Sequence, residues 1–521
     1  MSQTQQHIVI LGGGTAGWLT ANILAAEFDP QAGIKITLIE SPTTPTIGVG
    51  EGTWPSMRST LLKIGISEQA FIQSCSATLK QGTYFKGWAS SEGDEYYHPF
   101  TLPHGFTDLN LAEYWNAGLL GDSCFAESVT PQFTACEAGL APKQIQVPEY
   151  AYTLNYGYHL DAGKFAELLR ANAVERLGVT HLLADVTAVR NNPHGDIEAL
   201  DTTAGALPGD LFVDCSGFRS LLLGEHFKVP IFSQRNILFN DRALAVQVPY
   251  NDPGDSIATT TRATAHHAGW FWDIGLQHRR GVGAVFSSQH TGQTKMEQAL
   301  DQYLRDTNSP AGLDAAAARL IEFEPGYRQA FWHRNCVAIG LSAGFIEPLE
   351  ASALVLVELS ARRLAERLPL AQGQMQATAS EFNREFTDRW EQIIEFLKLH
   401  YVLSGRDDSD YWIDHRSAAS IPADLQQKLL DWQHRCPWHQ DERRVDEMFP
   451  AASYQYVLYG MGFSTAVQPH IYRDASARVQ RAQTLSSEVR QQSQQFAMHL
   501  PQHRQLLEQA SQQGFARRPG A

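Results

Sequence analysis

The glycine-rich segment GGGTAG at residues 12–17 constrains the fold of this chain more than any other feature. It follows the β-branched run HIVIL at residues 7–11 and precedes the helical pattern LTANILAAEF. Residues Ile34–Glu40, IKITLIE, then have the composition of a second strand. A strand, a glycine turn, a helix and a strand in this order predict a βαβ unit with parallel strands, and therefore an α/β fold.

The spacing of the glycines indicates the ligand that such a unit binds. Gly12 permits a tight turn, Gly14 lets the backbone approach a pyrophosphate, and Gly17 allows close packing of the helix on the strand. The N-terminus of the helix then faces the anion. Glu40 ends the second strand, twenty-three residues after Gly17, where a carboxylate can bind ribose hydroxyl groups. These residues predict a dinucleotide site; the alternative is a purely structural glycine turn.

Two later glycine turns favour FAD over a nicotinamide dinucleotide. The first ends the buried run DLFVDCSGF at Asp210–Phe218, in which Asp214 is followed by Gly217. The second follows the strand-like run NCVAIG at residues 335–340. Three such elements, spread over most of the chain, indicate one extended dinucleotide lying across the fold rather than a cofactor held by a single βαβ half.

The remaining patterns complete the predicted architecture. Residues Lys164–Gly178 have the spacing of an amphipathic helix, and residues 230–290 alternate apolar and polar side chains as antiparallel strands do. Towards the C-terminus, apolar residues recur at helical spacing and predict core packing. We therefore predict an FAD-binding, Rossmann-like fold of the flavin monooxygenase type. Its cofactor-binding module covers residues 1–355 with an interleaved antiparallel substrate-side sheet, and a mainly helical region covers residues 356–521.

Composition excludes several classes of function. The chain of 521 residues carries a formal net charge of −15, which argues against a nucleic-acid-binding surface. Its six cysteines include no CxxC pair, so we expect neither a metal site nor a disulfide framework. No apolar run approaches the ~20 residues of a membrane helix. The first residues lack the basic and apolar regions of a signal peptide, so we expect a cytoplasmic protein.

Several segments together resemble the flavin-dependent tryptophan halogenase family. The glycine turn is one, and the others, in order along the chain, are SPTTPTIGVGEGTWP (41–55), TLKQGTYFKGW (78–88), YYHPF (96–100), GWFWDIGL (269–276) and NCVAIGLSAGFIEPLEASAL (335–354). Two segments depart from the family. Its WxWxIP signature corresponds to Trp270, Trp272 and Ile274 but has Gly275 in place of proline, and its STG sequence is replaced by ASA beginning at Ala351.

The resemblance implies an enzyme that uses FADH2, oxygen and a chloride or bromide ion to make hypohalous acid. A lysine receives the hypohalous acid, and an electron-rich aromatic, an indole or an indole derivative such as tryptophan, is halogenated. By position in the motifs the lysine is Lys80, and Glu350 stabilises the cationic ring intermediate and accepts its proton. Glu347 lies three residues earlier, but the motif favours Glu350. The alternatives are a solvated surface lysine and a glutamate stabilised by a helix dipole.

The resemblance also implies the remaining site residues. His98 and Phe100 would form the apolar walls of the indole pocket, although core packing also explains Phe100; Tyr454, Tyr456 and Tyr459 are further candidates. The WxWxIP residues would separate the substrate from the flavin. The backbone N–H groups of Ser352 and Ala353 would bind halide. Besides the glycine turn and Glu40, the cofactor-binding residues would be Ala16, Ser41, Ile47, Glu51, Val186, Leu341 and Leu354.

The implied partners are a separate flavin reductase, which supplies reduced FAD, and a small aromatic substrate. A homodimer is the expected assembly, because it is the commonest among soluble proteins. Two alternative functions share the FAD motifs. One is a flavin-dependent aromatic hydroxylase that has no need of Lys80, and the other is a non-catalytic FAD-binding protein of the same fold.

Overall fold

A computed structural model describes residues 6–29, 33–43, 50–91, 93–310, 315, 318–369, 372–442, 446–469, 471 and 477–516. The strands are β1 (Gln6–Leu11), β2 (Ile34–Glu40), β3 (Glu51–Gly52), β4 (Thr78–Lys80), β5 (Gly82–Lys86), β6 (Glu95–Pro99), β7 (Gly157–Leu160), β8 (Thr180–Leu183), β9 (Val186–Asn191), β10 (Ile197–Thr202), β11 (Gly205–Pro208), β12 (Leu211–Asp214), β13 (Ile231–Ser233), β14 (Arg242–Pro249), β15 (Thr261–His266), β16 (Gly269–Gly275), β17 (Arg279–Phe286), β18 (Arg319–Glu322), β19 (Gly326–Arg328), β20 (Trp332–His333), β21 (Cys336–Ala338) and β22 (Gly344–Phe345).

The α-helices are α1 (Thr15–Glu27), α2 (Ser56–Lys63), α3 (Glu68–Ser74), α4 (Leu111–Asn116), α5 (Phe125–Val129), α6 (Gln132–Glu137), α7 (Ala162–Glu175), α8 (Gln293–Asp306), α9 (Ser352–Glu366), α10 (Met375–Val402), α11 (Asp410–His415), α12 (Ala423–Trp432), α13 (Ala451–Gly460), α14 (Ala477–His499) and α15 (His503–Gln513). None of the described helices is long and apolar enough to cross a membrane.

The chain folds into two compact units that interleave along the sequence. The first unit comprises Met1–Ala77, Leu160–Gln234 and Phe323–Trp390, and the second comprises Thr78–His159, Arg235–Glu322 and Glu391–Ala521. Both units draw on residues before and after position 355. The boundary at residue 355 proposed from the sequence divides the chain by position along the sequence, not into these compact units, and it stays a prediction.

The first unit is built on a six-stranded sheet in the order β20-β21-β12-β1-β2-β8. All neighbours in this sheet are parallel except β20 and β21. Helix α1 connects β1 to β2 and packs against α7 and α9. Asn22 of α1 donates to the Leu169 carbonyl of α7 at 2.8 Å and accepts from Asn172 at 2.7 Å. The βαβ unit predicted from the glycine turn is therefore confirmed.

Two small antiparallel sheets also belong to the first unit. One has the order β11-β10-β9 and the other the order β13-β19-β22. The predicted amphipathic helix near Lys164 is α7, which the side chain of Asp161 caps by accepting from the N–H groups of Gly163 and Lys164. An N-terminal cap of this kind satisfies donors that have no partner inside the helix.

The second unit contains a seven-stranded sheet in the order β18-β14-β17-β16-β15-β5-β6. Neighbouring strands of this sheet are antiparallel except for the parallel pair β15 and β5. The antiparallel sheet expected in this region is therefore confirmed. Side chains alternate between the two faces of a strand. Phe271 of β16 thus packs in a core with Leu244, Val282 and helix α8, whereas Trp270, Trp272 and Ile274 point to the opposite face.

Beyond β22 the described residues form helices and no further strand, as predicted for the C-terminal region. Helix α10 carries the aromatic stripe found in the sequence. Its residues up to Trp390 belong to the first unit, where Phe382 and Phe386 stack at 4.3 Å between ring centroids. In the second unit, Phe396 stacks on Phe449 at 3.8 Å. These side chains are buried, which confirms core packing as their role.

Candidate active site

Of the three glycines in the GxGxxG motif of the first unit, only Gly14 leaves open space for a ligand. A Cβ atom on Gly12 would lie 2.2 Å from the Cys215 carbonyl oxygen, and one on Gly17 would lie 1.9 Å from the Gly12 carbonyl oxygen. A Cβ atom on Gly14 would meet nothing within 4 Å. Gly14 is also the N-cap of α1, where N–H groups lack partners within the helix. This geometry fits a phosphate group held at the helix N-terminus.

Glu40 lies over the same turn. Its carboxylate oxygen Oε2 lies only 1.3 Å from the point that a Cβ atom of Gly13 would occupy, so Gly13 must lack a side chain. The other oxygen contacts His181 Nε2 at 2.7 Å, and the His181 ring packs edge-on against Trp18 at 5.0 Å. The carboxylate is therefore fixed where a ribose would approach. Sequence reasoning missed Gly13 and His181, because neither is required by the spacing of the glycine motif.

The three predicted glycine turns lie next to one another in the first unit. Gly12 packs against Cys215 of the second turn, and a Cβ atom on Gly340 of the third turn would lie 2.6 Å from the Cβ atom of Ala16. Asp214 is fully buried and accepts from the N–H groups of Leu222 and Leu223 at 2.9 and 2.8 Å. The Asp214 carboxylate therefore stabilises the loop that follows it.

The other proposed cofactor residues are also in the first unit, except that Ile47 lies outside the described residues. Ser41 follows Glu40 directly, and its hydroxyl accepts from the Thr43 N–H at 3.2 Å. Burial raises the pKa of Glu51 to about 7. The remaining positions are Val186 at the start of β9, Leu341 in the turn after β21 and Leu354 in the first turn of α9. Together with the glycine turns, this set fits FAD.

Glu350 forms a strained turn at the start of α9. It is 5% exposed, and its φ and ψ angles of 62° and 9° are left-handed, as are those of Ala351 at 55° and 44°. Two successive left-handed residues other than glycine cost about 1–3 kcal/mol each. The turn presents the first N–H groups of α9, those of Ser352 and Ala353, which suits an anion.

Three side-chain hydrogen bonds join this turn and helix α9 to residues just before α2 and within it. Trp54 Nε1 donates to the Glu350 carbonyl oxygen at 2.7 Å. Farther along α9, the carboxylate of Glu358 accepts from Ser56 at 3.1 Å and from Thr60. Burial raises the pKa of Glu358 to about 7, and its hydroxyl partners oppose that rise. The resemblance assigned no role to Trp54, and no local pattern in the sequence links it to Glu350.

Lys80 is a buried lysine of the second unit. It is 1% exposed and pairs with Gly157 of β7 at the end of β4. Its Nζ lies 5.5 Å from the centroid of the Phe100 ring. The structure thus rules out a solvated surface lysine. His159, on the same pair of strands, has a pKa well below its usual value because of burial and then of the Lys80 charge.

Long-range hydrogen bonds hold the strand of Lys80. Thr78 Oγ1 donates to the Gly275 carbonyl at 2.6 Å, and the Leu79 N–H donates to His503 Nε2 at 3.0 Å. The other ring nitrogen of His503 therefore carries the proton and faces the Ile257 carbonyl at 3.3 Å. Burial lowers the pKa of His503 to about 4, so the acceptor stays neutral.

Gln81 joins the lysine strand to the segment that contains His98 and Phe100. Its backbone carbonyl accepts from the Phe100 N–H at 3.0 Å, and its side chain donates to the Leu140 carbonyl at 2.7 Å. At the next position, a Cβ atom on Gly82 would lie 2.3 Å from the His98 carbonyl oxygen. The two segments are thus in close register, which brings Lys80 and Phe100 together.

Helix α13 packs beside His98. His98 Nε2 contacts the Ser453 hydroxyl at 2.9 Å, and the His98 ring lies 6.1 Å from the Tyr456 ring. The Tyr456 hydroxyl donates to the Thr101 carbonyl at 2.8 Å. Of the three tyrosines considered from the sequence, Tyr456 is therefore the one with a described ring contact to His98. Tyr454 and Tyr459 instead contact Glu395 and Thr465.

The tryptophans of the WxWxIP-like segment are buried on one face of β16. Trp270 lies 6.3 Å from Trp88 between ring centroids. Trp272 lies over Gly283, where a Cβ atom would approach its ring to 2.1 Å. Gly275 ends the strand, and a Cβ atom there would come within 3.1–3.2 Å of Ile257, Ala258 and Tyr250. The position that departs from the family is therefore tightly packed.

The proposed site residues thus form two groups. Lys80, His98, Phe100 and the β16 residues belong to the second unit, whereas the glycine turns, Glu350, Ser352 and Ala353 belong to the first. Across the described ranges, no group of three or more His, Cys, Asp or Glu side chains could hold a metal ion. The six cysteines are free thiols, so no disulfide framework is present.

Comparison with known proteins gives one consistent result. The sequence profile of the family described as tryptophan halogenase matches residues 7–477. A tryptophan 6-halogenase of Streptomyces toxytricini is 32% identical over 88% of this chain and 90% of its own length. A 7-chloro-L-tryptophan 6-halogenase of a Kutzneria species is 34% identical over 87% of this chain and 90% of its own length.

Solved structures agree with the sequence comparison. A tryptophan halogenase from Shewanella frigidimarina, known from its crystal structure, has 48% sequence identity to this chain. The two structures superpose with a TM-score of 0.93 over 98% of both chains. A flavin-dependent halogenase from a Brevundimonas species is 34% identical and has a TM-score of 0.85 over 98% of this chain and 99% of its own.

Proposed function

The chain belongs to the flavin-dependent tryptophan halogenase family, and we propose that it halogenates an indole ring, with Lys80 and Glu350 as its two catalytic residues. The family is one of flavin-dependent oxidoreductases that use FAD and a halide ion. The observation that carries the proposal is the burial of the Lys80 amine beside the Phe100 ring, in a chain whose glycine turns fit FAD.

Lys80 receives and directs the oxidised halogen. A buried ammonium can hold hypohalous acid by hydrogen bonding, and the neutral amine can bind the halogen as a nucleophile. Only a lysine shielded from water protects such an oxidant from competing reactions in solution. Its neighbour His159 stays neutral because of burial, with its pKa well below the usual value, and adds no second positive charge.

Glu350 serves as the general base. Addition of an electrophilic halogen to an aromatic ring leaves a cationic intermediate that must lose the proton from the substituted carbon. A carboxylate stabilises that cation and accepts the proton. The burial of Glu350 strengthens this electrostatic interaction, because a low-dielectric environment screens charges less than water does.

FAD would be held by the glycine turns and by Glu40, Ser41, Glu51, Val186, Leu341 and Leu354, with Ile47 proposed by resemblance alone. When bound and reduced, FAD would supply two of the four electrons that oxygen takes up, and the halide would supply the other two as it is oxidised to hypohalous acid. The first N–H groups of α9, from Ser352 and Ala353, would bind the halide ion. The Gly14 opening and the N-terminus of α1 would receive the pyrophosphate.

His98, Phe100 and Tyr456 would supply the walls for the aromatic substrate, since flat rings offer an indole both area and stacking. The tryptophans of β16 would keep the substrate away from the flavin. The names of several relatives specify tryptophan. We extend this to the indole ring, free or within a larger molecule. A separate flavin reductase, a homodimeric assembly and a cytoplasmic location also belong to this proposal.

The test is a panel of indoles incubated with the protein, FAD, a flavin reductase and either chloride or bromide, with products read by mass spectrometry. We expect a halogen mass shift that Lys80→Met abolishes while FAD binding persists. Lys143→Met is the matched control, because Lys143 is also a buried lysine of the second unit and lies 5.3 Å from the Tyr156 ring. Halogenation that survives Lys80→Met removes Lys80 from its role.

The second arm tests the base. Glu350→Gln should slow halogenation by about 10²-fold or more, the usual loss for a general base. Glu347→Gln is the matched control, since Glu347 is also buried and lies three residues away. Addition of oxygen in place of halogen would indicate the aromatic hydroxylase instead. Bound FAD without turnover of any substrate would indicate the non-catalytic protein.

A further inference from the structure

The peptide group between Glu350 and Ala351 is held on both sides. Its carbonyl oxygen, on Glu350, accepts from Trp54 Nε1 at 2.7 Å. Its N–H, on Ala351, donates to the Pro348 carbonyl at 3.0 Å. The second bond belongs to the turn itself, but the first comes from a residue that is 296 positions away in the sequence.

The residues on both sides of this peptide group have unfavourable backbone conformations. Glu350 and Ala351 have φ angles of 62° and 55°, and neither residue is a glycine. Such conformations persist only where surrounding contacts determine them. Rotation of the Glu350–Ala351 peptide would move the Glu350 carbonyl away from the Trp54 indole, and it would also reorient the Glu350 side chain. The Trp54 bond therefore opposes the relaxation that would be most damaging to the site.

Trp54 is itself well placed to act as a fixed donor. Pro55 follows it and restricts its backbone to extended conformations. Helix α2 begins at Ser56, and Ser56 and Thr60 bind the carboxylate of Glu358, two turns along α9 from Glu350. The indole N–H is thus carried on a segment that is tied to the same helix at a second point.

We propose that Trp54 is a positioning residue for the halogenation step, because its indole N–H fixes the left-handed turn that presents the Glu350 carboxylate. This inference rests on the proposed function of Glu350. It predicts a defect in proton removal from the substrate and no defect in making the halogenating agent, since the latter does not use the Glu350 carboxylate.

The test compares two replacements of Trp54. Trp54→Phe removes the indole N–H, and substitution by 3-benzothienylalanine removes it while keeping the shape of the ring. Trp332→Phe is the matched control: Trp332 Nε1 donates to the Arg334 carbonyl at 3.0 Å, and Arg334 is also left-handed, with a φ of 55°, but Arg334 lies outside the turn that contains Glu350. Its loss should leave halogenation unchanged.

For both Trp54 variants we expect kcat for the halogenated product to fall about ten-fold, the factor that one ordinary hydrogen bond represents. KM for the indole and the rate of hypohalous acid formation, measured with a dimedone trap, should stay within about two-fold of the wild-type values, since one lost hydrogen bond leaves uninvolved steps intact. The primary deuterium isotope effect at the halogenated carbon should rise, because proton removal becomes slower. In a Glu350→Gln background, Trp54→Phe should cost nothing further, as expected for residues that act together.

Unchanged kcat in the benzothienylalanine protein would overturn the inference. The inference would also be overturned if Trp54→Phe lowered kcat ten-fold in the Glu350→Gln background as well, because an independent structural defect behaves in that way. Full activity of Glu350→Gln alone would instead refute the proposed function of Glu350, whatever the Trp54 variants do. The two failures are therefore distinguishable.

Discussion

Replacing His503 with glutamine removes a titratable group that bonds directly to the strand of Lys80. The histidine is 1% exposed, and its Nε2 accepts from the Leu79 N–H at 3.0 Å. Protonation of Nε2 would convert this acceptor into a donor that faces another donor. A glutamine side chain offers one acceptor and one donor for the same two partners, Leu79 and the Ile257 carbonyl, but it does not titrate.

The size of the effect follows from the pKa of His503. The ordinary value is 6.5, and burial lowers the pKa in the folded protein to about 4. Each pKa unit corresponds to about 1.4 kcal/mol, so the difference amounts to about 3 kcal/mol. Because the unfolded chain binds the proton at higher pH than the folded protein does, this stability is fully present above about pH 6.5. It is lost as the pH falls from there to about 4.

Urea unfolding followed by tryptophan fluorescence across this pH range measures the effect. We expect the free energy of unfolding of His503→Gln to fall less steeply than that of the wild type, by up to about 1.4 kcal/mol per pH unit. His266 and His415 also have pKa values well below the usual one because of burial, but they are present in both proteins and cancel in the difference. The His503 charge contributes to the lowered pKa of His159, after burial and the Lys80 charge, so His503→Gln also removes that smaller effect. Identical pH dependence of the two proteins would refute the reasoning.

Three glycines give further predictions. Gly14→Ala should leave the stability of the FAD-free protein unchanged, since its Cβ atom meets nothing within 4 Å, yet it should weaken FAD binding in a fluorescence titration. Gly13→Ala should weaken FAD binding by about ten-fold, because the new methyl group displaces the Glu40 carboxylate. The displacement removes one hydrogen bond of ordinary strength between Glu40 and the ribose. Gly283→Ala should destabilise the protein by about 1–3 kcal/mol in urea unfolding, because its Cβ atom would overlap the Trp272 ring; unchanged stability would contradict the packing described for β16.

Local patterns in the sequence were sufficient to predict the βαβ unit and its glycine turn. The βαβ unit follows from the glycine spacing and from the strands on either side of it, and β2 has the bounds Ile34–Glu40 that its composition indicates. The positions of Lys80 and Glu350 came from motifs rather than from periodicity. The sequence could not show that Lys80 is buried, because its neighbours along the chain do not determine which side of a short strand is covered.

Contacts between distant segments account for what the sequence left open. Glu40 is held by His181, 141 residues away, the Glu350 turn by Trp54, 296 residues away, and the Lys80 strand by His503, 424 residues away. Local propensity and turn chemistry act over a few residues, so the amino-acid order determined the glycine turns and the helices that follow them. Only the tertiary structure decided which side chains meet across hundreds of positions. Hydrogen-bond partners are selected by proximity in space and by burial, and spacing along the chain encodes neither.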